Sequence, residues 1–103
     1  MKYTSIVIAS YIPLGNRLRE SILETSMDSL MKTTKDLPVE IIFVDNGGGY
    51  HHEGVNIYIK NSENYHFGPA RNQGLAMAKG EFLVIADNDI FYENGWLEAC
   101  IKV

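Results

Sequence analysis

The chain has 103 residues, 46% of them hydrophobic and 21% charged, which is room for one globular domain and excludes a disordered chain. Nine Lys and Arg stand against thirteen Asp and Glu, a net charge of −4, so a general nucleic-acid binder with its basic field is excluded. The lone cysteine, Cys100, excludes an internal disulfide or a cysteine zinc site, and the apolar runs fall far short of the roughly 20 residues that span a bilayer. These features suit a cytoplasmic location, at most peripheral to a membrane.

The first β-branched run is Tyr3 to Ser10. After it, Leu18, Ile22, Ser26 and Leu30 recur every fourth residue with Leu23, Met27 and Met31 beside them, which predicts an amphipathic helix with Asn16 as its N-cap. Val39 to Val44 and Val55 to Ile59 are the next two strands. The connection between them, Asp45 to Gly54, is shorter than the dozen residues of an ordinary parallel crossover, so the third run reads as a short edge strand whose direction stays open. A second helix is expected from Pro69, suited to a first helical position, to Gly80, suited to the position past the end. Glu81 to Ala86 is the fourth strand, and a third helix starts after Asn94. This alternation predicts an α/β fold, Rossmann-like, with a mostly parallel sheet of about four strands flanked by helices. Consecutive apolar residues in three of the strands fit a sheet covered on both faces.

In an open parallel sheet, ligands bind beyond the carboxyl ends of the strands. There the chain places Ala9-Ser10-Tyr11, then Asp45-Asn46 with three glycines, then Asp87-Asn88-Asp89. Asp87 and Asp89 point the same way on an extended backbone, and two carboxylates on one side suit an oxygen-ligated cation such as Mg²⁺ or Mn²⁺; the plainer alternative is an Asx turn. Asp45-Asn46-Gly47 is likewise either a turn or a close approach to a ligand, and neither a P-loop nor a dinucleotide fingerprint is present. Arg71 in the first turn of the second helix opposes the helix dipole, which calls for an anionic partner. His51, His52 and His66 lack metal-ligand spacing and read as structural or exposed. Cys100 reads as a buried apolar residue, and Met27, Met31 and Met77 as core.

The segments EIIFVDNGG and NYHFGPARNQGLAMAKGEFLVIADNDI, after a strand ending in Ser-Tyr, resemble the N-terminal half of a family 2 glycosyltransferase, which has the GT-A fold. The resemblance covers nearly the whole chain and is most specific from Asn64 to Asp89. It implies an enzyme that takes a nucleoside-diphosphate sugar such as a UDP- or GDP-sugar, with Mn²⁺ or Mg²⁺, and inverts the anomeric centre. Ala9, Ser10 and Tyr11 would line the base pocket, Asp45 would accept a ring N–H, and Arg71 would stand near base and phosphates. Asp87 would meet the ribose or metal-bound water, and Asp89 would ligate the metal. The acceptor half and the catalytic base are expected beyond Val103, so the chain reads as a single donor-binding half-domain, cut off soon after Asp-x-Asp. Its uncovered sheet edge then suggests a homodimer. The alternatives are a non-catalytic nucleotide-binding or assembly module and a phosphatase-like Asp-x-Asp enzyme.

Overall fold

The computed structural model describes residues 1–101. Four strands, β1 (Thr4–Ser10), β2 (Val39–Asp45), β3 (Ile57–Lys60) and β4 (Phe82–Ala86), form one parallel sheet in the order β3-β2-β1-β4. Helices α1 (Arg17–Thr34), α2 (Phe67–Met77) and α3 (Trp96–Ile101) complete the described elements.

Side chains alternate across β1. Ile6 and Ile8, with Ile41 and Phe43 of β2 in register beside them, pack with Leu23, Met27 and Leu30 of α1 and Leu97 of α3. The opposite face meets α2, where Ala9, Val44 and Ala70 form a second, smaller cluster. The two central strands are therefore buried on both faces, and their consecutive apolar residues follow from that. In α1 the predicted stripe faces the sheet except at Leu18, which is exposed. Asn16 caps the helix, its Oδ1 accepting from Arg19 N at 3.3 Å, while Glu20 reaches back to the Gly15 N–H at 2.7 Å.

The third strand runs parallel, which settles the direction left open by the sequence. The short connection manages it by crossing over the β1–α1 connector: Gly48 O accepts from Leu14 N, and Pro13 bridges Gly49. A Cβ on Gly48 would stand 2.5 Å from the Ile12 carbonyl carbon, so glycine is needed for that contact. Asn56 then fastens the loop's end, its side-chain oxygen accepting from Ile41 N at 2.7 Å.

Three expectations need correction. The second helix starts at Phe67, ahead of Pro69, and stops at Met77 because Ala78 is extended. Gly80 is no helix cap; it lies against β1, where a Cβ would come within 2.5 Å of Ser5 N. There the buried Glu40 carboxylate accepts from the Ser5 hydroxyl and from Lys79 N, and Ser5 Oγ accepts from Gly80 N, so the return into β4 is pinned by a satisfied polar group. Met77 is about half exposed and Cys100 is exposed; Met27 is buried and Met31 packs at the core's margin. Both misplaced residues sit in helical positions turned from the sheet, and their apolar character alone does not say which way they face.

Candidate functional site

At the carboxyl ends of β1 and β4 lies an open cleft of about 340 Å³ lined by Ala9, Arg19, Phe67, Arg71, Asp87, Asn88 and Asp89. A recess of about 80 Å³ shares Arg19, Asn88 and Asp89 with it and adds Ile12 and Ile22. Four residues singled out in the sequence, Ala9, Arg71, Asp87 and Asp89, thus share one cavity. Ser10 is buried below it and accepts from the Asn88 side-chain amide at 3.0 Å, which steadies the Asp-Asn-Asp turn. Tyr11 is partly exposed and does not line the cleft.

Arg71 has its anionic partner. Its guanidinium lies 3.6 Å from Asp87 Oδ1 and 5.5 Å from the Phe67 ring centroid. Its Nε is buried without a hydrogen-bond partner.

Asp45 occupies a different position from the open rim that the sequence suggested. It is fully buried, Oδ1 accepts from Gly49 N at 3.1 Å, and Oδ2 accepts from the Tyr58 hydroxyl at 2.9 Å. Burial and the bond to Asp45 push the Tyr58 phenol up to about 12.

An amide network that the sequence did not reveal fixes the start of α2, the helix that carries Arg71. Asn61 and Gln73 exchange two hydrogen bonds at 2.7 and 2.9 Å. Asn46, fully buried, accepts from Asn61 and from Tyr65 N and donates to Asn64 and to the His66 carbonyl. His66, at φ 71, is a non-glycine residue in left-handed backbone just before α2, and the network holds it there. On the far side, Ser26 donates to the Ile90 carbonyl, Ser29 accepts from Tyr92 N, and the Trp96 indole donates to Thr33, so the segment after Asp89 is tied to α1. Tyr92 is pushed up to about 12 by burial and by the neighbouring Asp87 and Asp89.

Arg19, Phe67 and Asn88 were missed. Arg19 could have been noticed, since a cation in the first turn of α1 opposes the helix dipole just as Arg71 does in α2. The histidines divide: His51 packs on Tyr58 in a tilted pair at 4.3 Å between centroids, while His52 is mostly buried against Glu24 and Asp28.

A parallel sheet with a cationic and acidic cleft beyond the ends of β1 and β4 has the layout in which an open α/β domain holds its ligand. Comparison with known proteins narrows this. The family model described as Glycosyl transferase family 2 matches residues 5–103. The chain belongs to the family 2 glycosyltransferases. It is 28% identical over 92 residues to the putative glycosyltransferase EpsH of Bacillus subtilis (strain 168), an alignment that takes in 81% of this chain and 26% of that protein. The crystal structure of S. aureus TarS superposes with a TM-score of 0.75 at 23% identity, covering 99% of this chain and 32% of that one. The fold is therefore the GT-A type, and the chain spans about a quarter of EpsH and a third of the TarS structure.

Proposed function

We propose that this chain binds the nucleoside-diphosphate part of a UDP- or GDP-sugar in the cleft between Arg71 and Asp89, as the donor half of an inverting glycosyltransferase. The observation that carries it is the open cleft beyond β1 and β4, where the Arg71 guanidinium stands beside Asp87 and Asp89. A guanidinium there offers paired N–H donors to the oxygens of a diphosphate. Asp87 and Asp89 are exposed and two residues apart, and they offer two carboxylates. That suits Mn²⁺ or Mg²⁺, which takes its remaining positions from phosphate and water. Bound there, such an ion neutralises charge on the departing diphosphate. Arg71 orients the phosphates, Phe67 lies against the Arg71 guanidinium, and Ala9 borders the base.

Asp45 accepts a ring N–H only if Tyr58 or the glycine loop gives way, because it is fully buried behind them. The cytoplasm is the proposed place of work, supported by the lone cysteine; no helix among the described residues is long and apolar enough to cross a membrane. A second copy is the proposed partner of β4 when this chain is alone.

Calorimetry with UDP and GDP, each in Mn²⁺ and in EDTA, tests the reading. Binding should be stronger with Mn²⁺, and Arg71→Ala should cost about 1.5–3 kcal/mol, roughly tenfold to a hundredfold in Kd. Equal affinity in EDTA and Mn²⁺ would remove the metal assignment, and no binding of either nucleotide would remove the reading.

A further inference from the structure

Away from the cleft, α1 and the β2–β3 loop bring three ligating side chains together. Glu24 and Asp28 stand one turn apart on α1, and His52 comes from the loop. One candidate atom from each lies within 4.8 Å of the others, and among the described residues this is the one group of three His, Cys, Asp or Glu that does so. None of the three lines the cleft of Arg71 and Asp89.

We propose that Glu24, Asp28 and His52 bind a divalent transition-metal ion of the Zn²⁺ type, fastening the β2–β3 loop to α1. The donor set is the first argument. One imidazole nitrogen with two carboxylate oxygens suits Zn²⁺ or Co²⁺, whereas Mg²⁺ and Ca²⁺ favour oxygen alone.

Distance is the second. His52 Nε2 lies 3.3 Å from Asp28 Oδ1 and 3.6 Å from Glu24 Oε2. A charge-assisted hydrogen bond would draw in to about 2.7–2.9 Å. Ligands at about 2.0–2.2 Å from a tetrahedral zinc stand roughly 3.3–3.6 Å from one another. The imidazole is near enough to both carboxylates, by hydrogen bond to Asp28 and ion-pair contact to Glu24, for one ion to replace those contacts.

Preorganisation is the third. The His52 side chain is 13% exposed, and Nε2 is the nitrogen presented to both carboxylates. The other oxygen of Glu24 accepts from the Tyr50 hydroxyl at 2.6 Å, an outer contact of the kind that orients a ligating carboxylate. Carboxylates one turn apart on a helix repel, and a divalent cation relieves that repulsion. Asp28 is largely exposed, which leaves a way in and a position for water. An occupied site would also steady His51, the next residue, against Tyr58 and so the loop beside Asp45.

The test uses the chain in an Asp89→Ala background, so that the rim carboxylates do not contribute. After EDTA stripping, Co²⁺ absorption and Zn²⁺ calorimetry should show one equivalent bound, with visible bands of a four-coordinate ion and a raised melting temperature. His52→Ala and Asp28→Asn should each lose more than tenfold in affinity, and Tyr50→Phe about tenfold. Circular dichroism of each stripped variant shows whether it is folded, and Asp28→Asn, on an exposed residue, should melt like its parent without metal. Zn²⁺ affinity unchanged by both His52→Ala and Asp28→Asn, or no uptake at millimolar Zn²⁺ by the folded parent, would overturn the proposal.

Discussion

Tyr58 and Asp45 form a pair whose two roles separate by substitution. The phenol sits at about 12 in the folded chain against 10.0 for a free tyrosine. The folded state thus holds that proton more tightly, and the resulting stability is full below pH 10 and is lost as pH rises towards 12. Tyr58→Phe should cost about 1 kcal/mol at neutral pH, the net worth of one hydrogen bond, and should blunt the fall in urea midpoint between pH 9 and pH 11. If Asp45 accepts from a nucleotide base, the same variant should bind UDP no worse, because the competing donor is gone, while Asp45→Ala should lose both stability and binding. An Asp45→Ala chain that melts lower yet binds UDP normally would make Asp45 a positioning residue of the loop alone.

At the scale of an element, α2 shows how tightly the site's helix is seated. A Cβ on Gly74 would fall 2.4 Å from Val7 Cγ1 and 3.4 Å from Val44 Cγ2, both on fully buried side chains. Gly74→Ala therefore overpacks by about 1–3 kcal/mol. That outweighs the roughly 1 kcal/mol of helix propensity gained. Gly68, in the first turn of the same helix, has nothing within 4 Å of its absent Cβ. Gly68→Ala should then be neutral or stabilising by up to about 1 kcal/mol. Denaturant melts of the pair check this, and a Gly74→Ala chain as stable as the parent would mean that α2 can shift from β1. The start of α2 was misread because Pro69 is a good first helical residue, yet His66 and the Asn46 amide network set the boundary two residues earlier.

For the whole molecule, the unbalanced feature is β4. Leu83 and Ile85 are each about half exposed, Phe91 is more so, and one edge of the strand has no partner among the described residues. Expressed alone, this 103-residue chain should self-associate through that flank. Light scattering across concentrations should show dimer or larger species, and Leu83→Lys with Ile85→Lys should return them towards monomer without unfolding. A parent chain that stays monomeric at high concentration would show the flank to be inert.

The sequence by itself determined the element order, the parallel sheet with both central faces covered, and the convergence of Ala9, Arg71, Asp87 and Asp89, because strand ends and helix starts are local and a parallel sheet gathers them on one rim. The family was legible for the same reason, since its most specific residues lie in one run from Asn64 to Asp89. Tertiary structure alone decided the direction of β3, the burial of Asp45 under Tyr58, the entry of Arg19 into the cleft, and the meeting of His52 with Glu24 and Asp28 across 24 and more residues of chain. Those outcomes depend on which surfaces pack face to face, and nothing in local spacing encodes that.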